Sequence, residues 1–335
     1  MILTLFQSII VLVASFVGII LSANALINNG IKIASIYKVS PFIIGILILG
    51  FGTSAPEIFV STFAAFEDAP DLAVGNAFGS NIINIALVLG VTAMIFPIMV
   101  NVKGIKKEWY FLILYTILTG VLLFDKSLDF EDGAILLLAL GLFLWFTYKE
   151  SKKVDNKFEN LLSNVDISKK RIIWRNLLLS LIALLICAQF IVYSGKNIAI
   201  YFEVSELIIG LTLIALGTSL PELAVVITSA IKKQHEMVVG NIIGSNIFNT
   251  VAVLAIPALI SPVEFQEKIK INGNDVLAIY ADYIVMFAFT ILLYIFFVNY
   301  ESDPKRKNTI SRLEGFFLII FLVIYIYFRL LYPWN

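Results

Sequence analysis

Two glutamates stand apart from every other charged residue, because each lies deep inside an apolar stretch of the chain. Glu57 ends the segment GTSAPE (residues 52–57), and Glu222 ends GTSLPE (residues 217–222). A charge buried in a bilayer is costly unless it meets a partner or a wet cavity, and no Lys or Arg lies at that depth in either segment. Two carboxylates that face each other repel, and a bound cation or a proton relieves the repulsion. The pair predicts a cation site inside the membrane.

The residues around both glutamates offer further oxygen atoms. Proline lacks an N–H and clashes with the carbonyl four residues back, so Pro56 and Pro221 predict that the helices open near Gly52 and Gly217, eased by these glycines and by Gly50. Carbonyls freed there can face an ion where the backbone lines a cavity. Ca²⁺ and Na⁺ are hard cations that prefer oxygen ligands. Side-chain oxygens come from Thr53, Ser54, Thr218 and Ser219, and from Ser80 with Asn84 and Ser245 with Asn249, two pairs that each share a helical face.

The segment that carries Glu57 occurs twice. Residues 51–90 align with residues 216–255 without a gap, and 17 of the 40 aligned positions are identical. The likeness continues upstream, between residues 39–45 and 204–210. Five predicted spans separate the two copies, and an odd number inverts the second copy relative to the first. Inverted repeats are typical of secondary transporters, whose site lies near the bilayer midplane where the repeats meet.

Transmembrane helices must hold these residues in place. Of the 335 residues, 60% are hydrophobic and only 14% are charged, and a span needs about 20 mostly apolar residues. The predicted fold is an all-α integral membrane protein with about ten transmembrane helices in two inverted five-helix repeats, with broken helices at the midplane. The predicted domains are a first repeat at 1–148 (spans 1–5), a cytoplasmic linker at 149–175 and a second repeat at 176–335 (spans 6–10). The ten spans are predicted at 3–27, 40–66, 71–98, 108–124, 130–148, 173–194, 204–231, 236–260, 279–299 and 313–332.

Basic residues predict the orientation, because cytoplasmic loops are enriched in Lys and Arg. If both termini lie outside, 19 of the 24 Lys and Arg residues fall on the inner side. We therefore expect a multi-pass protein of the cell (inner or plasma) membrane with the 149–175 loop in the cytoplasm. A net charge of zero gives no reason to expect a nucleic-acid partner, and nothing indicates an obligatory protein partner. One histidine (His235) and one cysteine (Cys187) argue against a zinc or haem site, so no cofactor is expected.

The two motifs together resemble a known family. GTSAPE with GSNIIN (residues 79–84), and GTSLPE with GSNIFN (residues 244–249), resemble the two alpha repeats of the sodium/calcium exchanger family, which belongs to the cation/Ca²⁺ exchanger superfamily. The resemblance covers essentially the whole chain, and it is strongest to the compact prokaryotic members. It implies four clustered cation positions, one for Ca²⁺ and three for Na⁺.

The resemblance also implies roles for individual residues. Glu57 and Glu222 correspond to the acids that grip Ca²⁺, aided by the carbonyls of Thr53 and Thr218. The other implied ligands are the hydroxyls of Ser54, Ser80, Ser219 and Ser245 and the carbonyls of Gly50 and Ala215 for Na⁺, with Asn84 and Asn249 as the central pair. Some relatives, including K⁺-dependent exchangers, have Asp where this chain has Asn249, and this departure argues against K⁺ co-transport.

We therefore expect a secondary active antiporter that exchanges Na⁺ for Ca²⁺ by alternating access, independently of K⁺. A Ca²⁺/H⁺ antiporter that uses the same two glutamates is the alternative, because some superfamily members exchange H⁺. A cation channel is disfavoured, because a pore ring is usually supplied by several subunits, whereas one chain here holds both halves of a closed site. An intramembrane enzyme is also disfavoured, because the sequence has no paired Asp-Asp motif, HExxH motif or Ser/His dyad.

Overall fold

The computed structural model describes residues 4–67, 70–151, 169–202, 215–265, 268–271, 274–298 and 308–331, and helices dominate these ranges. The helices are α1 (Leu5–Tyr37), α2 (Pro41–Phe66), α3 (Leu72–Ile95), α4 (Val102–Leu122), α5 (Phe130–Ser151), α6 (Lys170–Tyr201), α7 (Ala215–Thr218), α8 (Leu220–Ile231), α9 (His235–Ile260), α10 (Ala278–Val298) and α11 (Arg312–Leu331). A 3₁₀ turn, Leu123–Asp125, follows α4.

In the part of the chain that the structure describes, six short strands pair in twos near the ends of the helices. They are β1 (Ile98–Met99), β2 (Ser127–Leu128), β3 (Val263–Glu264), β4 (Lys268–Ile271), β5 (Asn274–Leu277) and β6 (Thr309–Ile310). β1 pairs with β6 and β2 with β3, so each of these antiparallel pairs joins the first half of the chain to the second. β4 and β5 form a local hairpin before α10.

Within the described ranges, eight helices are long and apolar enough to cross a membrane, which confirms an all-α membrane fold. Two of the ten predicted spans are not among these eight. The predicted span at 204–231 corresponds to α7 and α8, and its first part lies outside the described residues. The predicted span at 313–332 corresponds to α11, which has 20 residues. The predicted 149–175 linker is described only at its two ends, and both ends are helical.

The first and sixth spans are longer than predicted. α1 has 33 residues rather than the 3–27 expected, and α6 has 32 rather than 173–194. A helix does not end where its apolar run ends, because its backbone hydrogen bonds continue through polar residues. Lys32 falls between the predicted spans 3–27 and 40–66, but in the structure it lies within α1. The helix stops only at Lys38, whose left-handed backbone (φ 54°) caps it.

Side-chain and backbone contacts show that the two repeats are inverted. α2 and α3 form an antiparallel hairpin, in which Ser61 donates to the Ala73 carbonyl while Asn76 donates to the Glu57 carbonyl. α2 and α9 instead run parallel, because Gly45 of α2 lies against Gly240, and Gly50, further along α2, lies against Gly244. Since α9 is the copy of α3, the two copies run in opposite directions.

Four glycines bring the backbones of α2 and α9 into direct contact. A Cβ at Gly240 would lie 2.4 Å from the Phe42 carbonyl oxygen, and one at Gly244 would lie 2.8 Å from the Ile46 Cα. On the α2 side, a Cβ at Gly45 or Gly50 would meet the α9 backbone at 2.9 Å. Backbone atoms cannot move aside as flexible side chains can. We call this contact the glycine seam (Gly45, Gly50, Gly240 and Gly244).

The two longest helices, α1 and α6, pack on each other and cover the broken helices. A Cβ at Gly18 of α1 would lie 2.5 Å from the Cys187 Sγ of α6, so the single cysteine fills space at this crossing. α6 also reaches the motif glycines, since Leu181 lies against Gly52 and Val192 against Gly217. α6 therefore packs directly on a glycine that precedes each helix break.

Candidate functional site

Both helices that carry the motif are interrupted just before their glutamates. The breaks lie at Ser54 and Ser219, whose ψ angles are 1° and 4°, two residues after Gly52 and Gly217, near which we predicted them. The prolines explain this position. Each new helix begins one residue before its proline. The N–H groups of a first helical turn have no partner within the helix, so the N–H that proline lacks is not missed there.

The motif glycines have a packing role that we did not predict. We expected Gly50, Gly52 and Gly217 to ease the helix distortion. Gly50 belongs to the glycine seam, whereas Gly52 and Gly217 make room for Leu181 and Val192 of α6. Close packing therefore requires these glycines, and the prolines are sufficient to explain the breaks.

Glu57 and Glu222 lie in the first turns of the helices that follow the breaks, and both are fully buried. The two carboxylates are close enough for their charges to repel each other. Thr218 lies beside Glu57, and Thr53 lies beside Glu222, so each acid meets a threonine from the opposite repeat. The structure thus brings the two copies of the motif together at one place.

Several buried oxygens at this place have no hydrogen-bond partner among the described residues. They include both carboxylate oxygens of Glu57 and of Glu222, and the hydroxyls of Ser54 and Ser219. Oδ1 of Asn84 and of Asn249 is unpaired as well. A buried polar atom without a partner is destabilising. A group of such atoms that are all acceptors, with two acids among them, has the composition of a site for a hard cation.

The remaining predicted ligands are placed as follows. Ser80 is buried and lies beside Glu57. Ser245 is buried, donates to the Asn241 carbonyl at 2.8 Å and accepts from Asn84 Nδ2 at 3.3 Å. Gly50 is buried in the seam. Ala215 begins α7, three residues before Thr218.

Sequence reasoning missed that the helices widen at the site. Asn84–Leu89 and Asn249–Val253 are π-helical turns, and each begins at the central asparagine of its repeat. A third π-helical turn, Gly45–Gly50, ends four residues before the break at Ser54. Single π turns are rare and often occur at functional sites. The sequence gives no local signal for them beyond the asparagines themselves.

Other motif asparagines form a second layer around these residues. Asn76 donates to the Glu57 carbonyl at 3.1 Å and to Ser61 Oγ at 2.9 Å. Asn241 donates to Thr53 Oγ1 at 3.2 Å, and Asn81 donates to Thr250 Oγ1 at 2.8 Å, so both of these bonds cross between repeats. These residues hold ligands or helices in place.

A bundle of apolar helices with two closely spaced buried acids, at the meeting point of two inverted repeats, defines a membrane transporter of cations. Comparison with known proteins agrees. The family described as sodium/calcium exchanger protein matches residues 7–149 and 173–331. The protein CaxA of Alkalimonas amylolytica is 38% identical over 320 residues, covering 93% of this chain and 96% of CaxA. The inner membrane protein YrbG of Escherichia coli K12 is 34% identical over 313 residues, covering 91% of this chain and 93% of YrbG.

A solved structure of the sodium-calcium exchanger NCX_Mj, soaked with 10 mM Na⁺ and zero Ca²⁺, has the same fold, with a TM-score of 0.80 and 30% identity. The match covers 96% of this chain and 99% of that one. The chain belongs to the sodium/calcium exchanger family. It is a multi-pass membrane antiporter of cations including Ca²⁺, and it is not an enzyme.

Proposed function

We propose that this antiporter couples Na⁺ movement to Ca²⁺ movement without K⁺, and that Glu57 and Glu222 form the shared site. The unpaired carboxylate oxygens of the two buried acids are the observation that carries the proposal. One Ca²⁺ between two carboxylates leaves the site locally neutral. Na⁺ ions can occupy the same oxygens, so the two cations compete, and competition at one site is the basis of antiport.

The rest of the ligand set follows from the family resemblance and from burial. Ca²⁺ takes 6–8 oxygen ligands, so two carboxylates need help from neighbouring groups. The carbonyls of Thr53 and Thr218 are assigned to Ca²⁺. The hydroxyls of Ser54, Ser80, Ser219 and Ser245 and the carbonyls of Gly50 and Ala215 are assigned to Na⁺, with Asn84 and Asn249 between them.

Independence from K⁺ rests on Asn249. This residue is fully buried, and neither its oxygen nor its nitrogen has a partner among the described residues. An amide adds no negative charge, so the site has two acids where K⁺-dependent relatives have a further one. Several Na⁺ ions on two carboxylates leave excess positive charge, so exchange should respond to voltage, at about 2.3 kcal/mol per charge per 100 mV.

We also infer that the protein lies in the cell's inner membrane with both termini outside and the 149–175 loop in the cytoplasm. The distribution of Lys and Arg supports this orientation. From the repeated motif and the predicted spans, we further infer that the chain divides into a first repeat at 1–148 and a second at 176–335. The named relative YrbG is an inner membrane protein, which supports the choice of membrane.

The decisive experiment is ⁴⁵Ca²⁺ uptake by proteoliposomes under Na⁺, K⁺ or H⁺ gradients that are otherwise matched. We expect uptake with an outward Na⁺ gradient, no requirement for K⁺, and stimulation by an imposed voltage. Uptake driven by a pH gradient alone, without response to Na⁺, would establish the Ca²⁺/H⁺ alternative. A requirement for K⁺ on the Ca²⁺ side would contradict the role given to Asn249.

A further inference from the structure

The break at Ser54 divides α2 into two parts that are held by different helices. The part before the break lies in the glycine seam against α9. The part after it is tied to α3, where Ser61 donates to the Ala73 carbonyl at 3.1 Å and Asn76 donates to the Glu57 carbonyl at 3.1 Å. Thr53 and Glu57 lie on opposite sides of the break. Their relative position therefore depends on what fixes each side.

Thr53 is fixed by a hydrogen bond that crosses between repeats. Its hydroxyl is fully buried, donates to the Leu49 carbonyl at 2.9 Å and accepts from Asn241 Nδ2 at 3.2 Å. Asn241 is also fully buried, and its Gly240 neighbour belongs to the glycine seam. The bond thus ties the last turn before the break to the part of α9 that packs in the glycine seam.

The same helix face links Asn241 to the central asparagine. Ser245 donates to the Asn241 carbonyl at 2.8 Å and accepts from Asn84 Nδ2 at 3.3 Å. Hydrogen bonds therefore connect Asn84 of α3, through Ser245 and Asn241 of α9, to Thr53 of α2. Three helices that supply candidate ligands are joined through one residue that has not been assigned to any cation.

We propose that Asn241 is a positioning residue for the Ca²⁺ site and that it acts through the hydroxyl of Thr53. This inference rests on the proposed role of Thr53 and Glu57 as Ca²⁺ ligands. Loss of the Asn241 amide frees the turn that presents the Thr53 carbonyl, so Ca²⁺ binds more weakly. The bond lies inside the contact between α2 and α9, so we expect the helix movements that carry the loaded site between sides to leave it intact and the maximal rate to change little.

The test is Ca²⁺/Ca²⁺ self-exchange with ⁴⁵Ca²⁺ in proteoliposomes, which requires no Na⁺ or H⁺ gradient. Asn241→Ala should raise the Ca²⁺ concentration for half-maximal exchange about tenfold, the size expected when a buried hydrogen-bonding partner is lost. The maximal rate should stay within about twofold. Asn246→Ala is the matched control, because Asn246 is equally buried on the same helix but, among the described residues, donates only to the Ile242 carbonyl of its own helix.

Thr53→Val keeps the carbonyl and the shape but removes the hydroxyl, so it breaks the same bond from the other side. The double variant with Asn241→Ala should match the Thr53→Val variant, because Asn241 has nothing left to act through once the Thr53 hydroxyl is gone. If the fold-changes in half-maximal Ca²⁺ concentration of the two single variants multiply in the double variant, the two residues act independently and the proposal is overturned. An Asn241→Ala variant that matches the wild type, or an Asn246→Ala variant that is equally impaired, would overturn it too. Failure of Na⁺ to drive uptake, with these self-exchange results intact, would count against the proposed coupling alone.

Discussion

The two copies of the site motif share their asparagines but use them differently. Asn76 binds within its own repeat, to Ser61 and the Glu57 carbonyl, whereas its copy Asn241 binds across the repeats to Thr53. The difference has a local cause. Ser61 has no equivalent in the second repeat, where Val226 stands at that position and offers no acceptor. The two copies of the motif therefore contain the same asparagines, but the residues around each copy determine which hydrogen bonds those asparagines form.

A second pair shows the same effect. Asn81 donates to Thr250 Oγ1 across the repeats, but the position that corresponds to Thr250 in the first repeat is Ile85. Asn246, the copy of Asn81, donates instead to the Ile242 carbonyl of its own helix at 2.7 Å. The two halves of the site are thus pseudosymmetric in composition and asymmetric in their hydrogen bonds.

The largest expected contrast between the repeats is the side of the membrane from which each motif loop is reached. Glu67 and Lys232 follow corresponding helices and are at least partly exposed. With single cysteines at these positions in a Cys187→Ala background, an impermeant maleimide applied to intact cells should label position 67 and not position 232. Labelling of 232 alone would show the opposite orientation, and labelling of both would contradict the inversion.

The next contrast concerns one glycine of the motif in each repeat. Among the described residues, a Cβ at Gly79 would meet no atom within 4 Å, whereas a Cβ at its copy Gly244 would lie 2.8 Å from the Ile46 Cα. Gly244→Ala should therefore destabilise the protein by about 3 kcal/mol, the upper part of the usual overpacking range, and Gly79→Ala should be nearly neutral. Thermal unfolding of the two variants in detergent measures the difference. A Gly244→Ala variant as stable as the wild type would mean that the glycine seam is not a rigid contact.

A smaller contrast is expected between the central asparagines. Asn84 Nδ2 donates to Ser245 at 3.3 Å, but the nitrogen of Asn249 has no partner among the described residues. Asn84→Asp removes the amide group that donates to Ser245. It should therefore raise the Ca²⁺ concentration for half-maximal exchange several-fold more than Asn249→Asp does. A third buried carboxylate tends to hold a proton, so Asn249→Asp should make exchange more dependent on pH. Identical pH profiles for the wild type and Asn249→Asp would contradict this expectation.

Much of the architecture could be predicted from the residues, because lipid imposes simple rules on a chain. Apolar runs revealed the spans, and a gapless repeat separated by an odd number of spans predicted the inversion that the contacts of Gly45 and Gly240 confirm. The buried acids, Glu57 and Glu222, could be recognised because a charge at that depth is costly and therefore indicates a functional site.

Other features depend on packing between distant segments, and the sequence could not show them. The residue at which α2 breaks, Ser54, is set by where the new helix accommodates its proline. The π-helical turns that begin at Asn84 and Asn249 follow from helix contacts and have no local signature. The partner of Asn241 could not be foreseen either, because it belongs to a residue 188 positions away.

The central claim is that one Ca²⁺ is shared by two acids from opposite repeats, and Ca²⁺ binding to the purified protein tests it most directly. Equilibrium dialysis with ⁴⁵Ca²⁺ should find Ca²⁺ bound to the wild type, and Glu57→Gln or Glu222→Gln alone should abolish this binding. Both variants should remain folded, because replacing a buried charge by an amide of the same shape removes its burial cost. Retention of wild-type Ca²⁺ binding by either folded variant would contradict a shared site.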